Sequence, residues 1–253
     1  MSTKKKKHNS QSNDSGAKQT FNKARHKYNF KPRNPEQAQL LELMQSKDLV
    51  FVTGDAGTGK THVLIAEAVR AFKDEEVSKI YLARPAVDAG EKLGHLPGTL
   101  EDKIGPYMLP YLDELSKVLG HSKCEQMIED GEIEFVSFAN IRGRTLEGAF
   151  VILDEAQNTT VHQMKTFLTR IGEGARVAVM GDAEQSDLPS PHDKNNGLTD
   201  GLKRFKNHPD VGAMELVEVV RSHIAAIAVN AYKKEVTPVD VKPRPVQQSK
   251  PHK

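Results

Sequence analysis

The chain has 253 residues, of which 37% are hydrophobic, with one cysteine and a formal charge of +2. That is enough for one sizeable domain or two small ones. No apolar run approaches the ~20 residues that span a bilayer, no segment has the apolar core of a signal peptide, and the lone Cys124 excludes an internal disulfide and disfavours a cysteine-based metal site. The expectation is a soluble protein of a reducing compartment, the cytoplasm.

The near-neutral total conceals a division. Residues 1–33 hold eight Lys and two Arg against one Asp, and residues 237–253 hold three Lys and one Arg against one Asp, so the body, 34–236, carries −10. The opening stretch is polar and lacks an apolar run, so it cannot bury enough surface to offset its ordering entropy and reads as a disordered basic arm. Such an arm suits phosphate backbones, and serves equally as a solubilising tail. Residues 237–253 read as a second disordered tail, basic and Pro-rich.

In chain order, PEQAQLLELMQS (35–46) has helical spacing, with Leu40, Leu41 and Met44 on one face and Pro35 at a tolerated first-turn position. DLVFVTG is a short apolar run ending in Gly, a buried strand. KTHVLIAEAVRAFKDE follows as a helix, and SKIYLARP as a strand stopped by Pro85. Residues 86–98, with Gly and Pro, read as a loop. Residues 99–131 are helical with a break near Gly120. EIEFVSF and GAFVILDEA are strands, VHQMKTFLTRIG a helix closed by Gly172, ARVAVMGD a strand and GLTDGLKRF a helix. VGAMELVEV is a last strand and HIAAIAVNAYKKE a last helix. Strands alternating with helices imply an α/β fold whose mainly parallel sheet is covered on both faces.

GDAGTGKT, from Gly54 to Thr61, fits the pattern G-x-x-x-x-G-K-[ST] between a predicted strand and a predicted helix, the context that gives the match weight. Gly54, Gly57 and Gly59 free the backbone, so that N–H groups of the loop, including those of Asp55, Ala56 and Thr58, can turn toward phosphate oxygens at a helix N-terminus. Lys60 then reaches the β and γ phosphates, and the Thr61 hydroxyl is placed to ligate Mg²⁺.

FVILDEAQN brings Asp154 and Glu155 to the C-terminal end of a buried strand, the edge where ligands sit in open α/β sheets. The phosphate loop leaves the same edge. Asp154 is the candidate to hold Mg²⁺ and Glu155 the candidate to polarise an attacking water. ARVAVMGDAEQ repeats the design, with Gln185 a candidate to sense the γ-phosphate or to lie in an ordinary strand-end turn. Upstream, Gln37 carries an amide donor and acceptor that complement the N6/N7 edge of adenine, although spacing alone reads it more simply as a surface glutamine. The ten His show no zinc spacing.

Gln37, GDAGTGKT, DEAQ and GDAEQ together resemble the motif series of superfamily 1 helicases. With LARPAVDAGEKLGHLPG (82–98), RGRTLEGAFVILDEAQNTT (142–160) and FLTRIG (167–172), the resemblance narrows to the PhoH family, phosphate-starvation-inducible P-loop ATPases, over roughly residues 33–235. The resemblance implies a three-layer RecA-like P-loop core, ATP and Mg²⁺ as ligands, hydrolysis by the DEAQ pair, and action on RNA or single-stranded DNA. It extends to compact single-domain versions, some phage-encoded, for which the compartment is the host cytoplasm.

Superfamily 1 helicases place ATP between two such cores, and one is expected here. Phosphoryl transfer of this kind is commonly completed by an arginine from across the site. A homo-oligomer with head-to-tail contacts, six subunits in a ring by analogy, would supply it. Arg170 and Arg221 are the candidates, with Arg142 and Arg144 as alternatives. Arg84, Lys92, Arg142 and Arg144, on loops expected beyond the core strands, are the candidate nucleic-acid contacts, and the guanidinium forks of Arg142 and Arg144 can clamp phosphates. A nucleotide-dependent switch without motor activity and a P-loop kinase are the other readings.

Overall fold

The computed structural model describes residues 30–85, 100–183, 185–189, 194–218, 220, 224 and 227, with backbone alone at 100–107 and 139. The basic arm up to residue 29, the 86–98 loop and the C-terminal tail lie outside these residues. So does the last predicted helix, apart from Ile224 and Ile227, both helical.

Six strands, β1 (Leu49–Thr53), β2 (Lys79–Arg84), β3 (Ile133–Ser137), β4 (Ala149–Leu153), β5 (Arg176–Gly181) and β6 (Val211–Glu215), form one sheet in the order β3-β2-β4-β5-β1-β6. Every pairing among them is parallel. The helices are α1 (Pro35–Ser46), α2 (Lys60–Lys73), α3 (Leu100–Leu119), α4 (His121–Glu129), α5 (Phe138–Ile141), α6 (Val161–Leu168) and α7 (Gly197–Arg204).

Strand alternation divides the core in two. Val50, Val52, Ile80, Leu82, Phe150, Ile152, Ala178 and Met180 face one way and pack with α1 to α4. Phe51, Tyr81, Ala83, Val151, Leu153, Val177 and Val179 face the other way and pack with α5 to α7. A period of two with both faces apolar is what a sheet covered on both sides requires. The result is a three-layer α/β fold of the RecA-like P-loop type. No described helix is long and apolar enough to cross a membrane.

Local chemistry sets the helix ends. Asn34 accepts from the Gln37 N–H at 2.9 Å to cap α1, with Pro35 following. Thr160 and Gln163 form a reciprocal capping box on α6. The helix expected over 161–172 stops at Leu168. Beyond it Ile171 bridges Leu146 and the Gly172 N–H donates to the Leu146 carbonyl at 2.8 Å. Gly172 therefore serves close approach: a Cβ there would stand 2.7 Å from Glu147 Cβ.

The parallel register sets the functional edge. Thr53 lies opposite Gly181, and Leu153 opposite Val179. The chain thus leaves β1 at Gly54 and β5 at Asp182 side by side, with Asp154, the residue after the adjacent β4, two residues short of them.

One surface network affects acid stability. Glu134 takes the Arg144 fork at 2.5 and 3.1 Å and Lys79 at 2.8 Å. The Arg144 fork, opposed by burial and joined by Lys79, holds the Glu134 carboxyl at about 2 against an ordinary 4.5. A depressed carboxylate stabilises the fold above its unfolded value and loses that contribution as pH falls through its folded value. Between pH 4.5 and about 2 the wild type should therefore lose stability that Glu134→Gln has already lost at neutral pH. With a third of the side chain exposed, the difference is ~1 kcal/mol or less. Urea unfolding at several pH values checks it, and parallel pH profiles for the two proteins would count against it.

Candidate functional site

The phosphate loop has the backbone its glycines foretold. Gly57 and Gly59 have φ of 90° and 89°, and Gly59 precedes α2 with no side-chain cap. The first N–H groups of α2 therefore have no side-chain acceptor, the arrangement that favours an anion. The Lys60 ammonium donates to the carbonyls of Gly54 at 2.5 Å and Asp55 at 3.0 Å. Thr58 turns inward, with its hydroxyl on the Asp55 carbonyl at 3.0 Å.

Four carboxylates act on Lys60. Burial lowers its pKa, and Asp154, Asp182, Glu155 and Asp55, in that order of strength, oppose the shift. Three sequence-predicted motifs thus converge on one ammonium. Burial likewise raises the Asp154 carboxyl, with Glu155 adding to the rise and the Tyr111 hydroxyl, the Glu155 N–H and Arg84 opposing it. Both carboxylate oxygens are held: Oδ1 accepts the Glu155 N–H at 2.7 Å and Oδ2 accepts the Tyr111 hydroxyl.

Glu155 adopts φ 51°, ψ 38°, a left-handed conformation rare for a residue with a side chain. Strain of this kind costs about 1–3 kcal/mol and gathers at functional sites. A short 3-10 turn, Ala156–Asn158, holds it, with the Asn158 N–H on the Glu155 carbonyl at 2.9 Å. The Glu155 carboxylate receives Gln157 Nε2 at 2.6 Å on one oxygen and Arg84 at 3.3 Å on the other.

Gln157 is buried, and its carbonyl oxygen accepts the Asp182 N–H at 3.1 Å. One amide therefore joins the DEAQ segment to the GDAEQ segment. Asn158 extends the clasp, accepting the Asp187 N–H at 2.8 Å and donating to its carboxylate at 3.3 Å. Sequence spacing assigns no separate role to Gln157, although it is the fourth residue of DEAQ. Gln185, the candidate γ-phosphate sensor, is exposed, and its N–H closes a turn on the Asp182 carbonyl at 3.2 Å.

Gln37 is buried, not on the surface. Its amide donates to the Thr58 carbonyl at 3.2 Å and accepts the Arg33 N–H at 3.0 Å. These bonds use one of the two N–H groups and one of the two lone pairs of the amide. Gly59 lies so close that a Cβ would meet Gln37 Nε2 at 2.7 Å. Its neighbour Glu36 accepts the N–H groups of Val217 at 2.9 Å and Glu218 at 3.0 Å, and the Val220 N–H reaches the Gly57 carbonyl at 3.0 Å. The segment that follows β6 is thereby strapped over the phosphate loop, a contact that sequence spacing cannot announce.

The arginines separate by position. Arg84, at the end of β2, sits on Glu155 inside the site. Arg144 is committed to Glu134 and lies 5.7 Å from the Tyr81 ring centre. Arg142 is exposed. Arg170 adjoins the Leu146–Ile171 bridge, where β4 and β5 begin, at the edge opposite the phosphate loop of its own chain. Lys92 and Arg221 lie outside the described residues.

Among the described residues no three His, Cys, Asp or Glu side chains form a metal cage. Mg²⁺ carried on nucleotide phosphates asks less of the protein, one or two oxygens. The donor set fits: the Asp154 carboxylate at the strand end, and Thr61, whose hydroxyl meets the weak Met180 thioether acceptor at 3.9 Å.

A family model described as PhoH-like protein matches residues 29–233. The chain is 45% identical over 201 residues to a PhoH-like protein of Bacillus subtilis, covering 79% of this chain and 62% of that protein. It is 43% identical over 204 residues to Protein PhoH of Escherichia coli K12, covering 79% and 57%. The matched region thus spans about three-fifths of the length of these curated relatives. Among solved structures, the large terminase of a thermophilic bacteriophage shares the fold, with a TM-score of 0.52 and 14% identity, covering 81% of this chain and 52% of that one.

Proposed function

The chain belongs to the PhoH-like protein family, and on that premise we propose that it is a Mg²⁺-dependent ATPase that couples hydrolysis to RNA or single-stranded DNA as a homo-oligomeric ring. One observation carries the ATPase reading: Lys60, Asp154, Asp182 and a strained Glu155 meet at one sheet edge, with Gln157 tying the two acidic motifs together. Lys60 and the N–H groups at the start of α2 bind the phosphates. Thr61 and Asp154 would hold the cation that travels with them, and that cation would supply charge neutralisation on the transferring group. Glu155 takes a proton from the attacking water. A carboxylate fixed between Arg84 and Gln157 suits that role, because its orientation is settled before substrate arrives. Gln37 presents its remaining N–H and lone pair to adenine.

The position of Arg170 supports the oligomer. Arg170 stands at the far edge from its own phosphate loop, so it serves a nucleotide only by head-to-tail contact with another copy. Arg221 is the other candidate, and a ring of six is the count by analogy. The nucleic-acid part rests on the helicase-like motif series and on basic tails flanking a body of −10. Arg142, which is exposed, remains a candidate contact together with Lys92. Arg84 and Arg144 already serve Glu155 and Glu134, so their use on nucleic acid would require exchange of partners.

ATPase activity with and without RNA and single-stranded DNA, over a dilution series and with Lys60→Ala as the blank, tests the proposal. Loss of the phosphate-side ammonium should lower turnover about 10²–10³-fold. Nucleic acid should stimulate the wild type, and specific activity should fall on dilution. Equal rates for wild type and Lys60→Ala would end the enzyme reading. Full activity as a dilute monomer would end the shared site, and turnover indifferent to nucleic acid would favour a nucleotide-dependent switch.

A further inference from the structure

Helix α3 belongs to none of the nucleotide motifs, yet it reaches the reactive edge. Tyr111, 2% exposed, donates its hydroxyl to Asp154 Oδ2. One turn further on, Glu114 meets His62 Nδ1 at 2.8 Å, and His62 follows Thr61 on α2. One polar side chain of α3 therefore contacts Asp154 directly, and a second contacts the residue that follows Thr61.

The arithmetic of lone pairs shows what this contact leaves free. A carboxylate offers about two acceptor sites on each oxygen. The Glu155 N–H takes one on Oδ1 and the Tyr111 hydroxyl takes one on Oδ2. With one anchor on each oxygen the carboxylate plane is fixed at both ends, and these two bonds leave about one further acceptor site on each oxygen. A carboxylate held only by the neighbouring N–H could rotate about its last bond, and the orienting partner of a ligand commonly matters nearly as much as the ligand.

We infer that Tyr111 is a positioning residue for the nucleotide-borne Mg²⁺, fixing the Asp154 carboxylate in its ligating orientation from helix α3. The inference rests on the reading of Asp154 as the metal-side carboxylate. The competing explanation is that a buried tyrosine merely satisfies its hydroxyl. The two differ in what they predict for Mg²⁺, because a packing role is blind to the cation.

The test is equilibrium binding of a fluorescent ADP analogue to the full chain, titrated with Mg²⁺, for wild type, Tyr111→Phe, Asp154→Asn and the double variant. Tyr111→Phe removes one oxygen and keeps the ring, and Tyr111→Leu is a second variant with an apolar filling. Both should raise the half-saturating Mg²⁺ concentration about tenfold or more, with nucleotide affinity in EDTA unchanged. The double variant should match Asp154→Asn alone, since Tyr111 acts only through that carboxylate. A Mg²⁺ response shifted by Asp154→Asn and untouched by either Tyr111 variant would overturn the inference and leave Asp154 its role. No shift from Asp154→Asn would remove both. Equal weakening of binding with and without Mg²⁺ in the Tyr111 variants would show packing alone and would also overturn it.

Discussion

Glu155→Gln should bind ATP with near-wild-type affinity and turn it over about 10²–10⁴-fold more slowly, the range that removal of a positioned general base produces. The substitution is close to isosteric, and the surroundings tolerate it. Gln157 Nε2, at 2.6 Å from Glu155 Oε2, can donate to an amide oxygen as it does to a carboxylate. The left-handed backbone at Glu155 is enforced by the 3-10 turn beyond it and not by the charge. What disappears is the capacity to accept a proton, together with the ion pair to Arg84 at 3.3 Å. Equilibrium nucleotide binding and single-turnover hydrolysis, measured on the same preparation, separate the two effects. Near-normal turnover in Glu155→Gln would show that the water is activated elsewhere, and loss of binding would show that the carboxylate supports the loop.

The parts of this site that could be read in the sequence are those whose physics is local. A run of apolar residues ending in carboxylates is a buried strand reaching an edge, and the Gly-rich turn before a lysine is a backbone shaped for anions. These signals located β1, β4 and β5 and the residues that follow them. The parts that could not be read depend on contacts across the chain. Tyr111 and Asp154 are 43 residues apart, Gln157 and Asp182 are 25 apart, and Glu36 and Val217 are 181 apart. Gln37 misleads for a related reason. Helical periodicity assigned Leu40 and Met44 to the core, but a glutamine in the first turn faces whatever loop the fold brings there, and here that is the phosphate loop. Arg84 shows the same dependence on register. As a strand-end arginine it could face solvent or ligand, and the pairing of β2 with β4 sets it beside the acidic pair. At α6 the sequence overextends the helix, because the bridge between Leu146 and Ile171 competes for the backbone of its expected last turn.

Among the described glycines, Gly54→Ala should be the most disruptive change to alanine, for a reason the loop pattern alone does not give. The first glycine of the loop has φ 137°, which disfavours any Cβ, and a Cβ there would collide with the Leu216 carbonyl oxygen. Leu216 cannot easily give way. Its own N–H is bonded to the Thr53 carbonyl at 2.9 Å, the next two N–H groups are held by Glu36, and the Val220 N–H is held by the Gly57 carbonyl. Backbone strain of ~1–3 kcal/mol is therefore joined by displacement of a strap anchored at four hydrogen bonds, so the total should exceed ~3 kcal/mol, in the range that marks a named structural conflict. Gly143→Ala is the control: it too has positive φ, 80°, but open space around it, and should cost only ~1–2 kcal/mol. Urea unfolding compares the two, and nucleotide binding by whatever folded Gly54→Ala remains should be weaker than in Gly143→Ala. Equal costs would mean that the strap yields freely. Unequal costs would mean that the shape of the phosphate loop and the path of the chain beyond β6 are set together, so that a nucleotide drawing Lys60 off the Gly54 and Asp55 carbonyls also acts on the residues that follow the last strand.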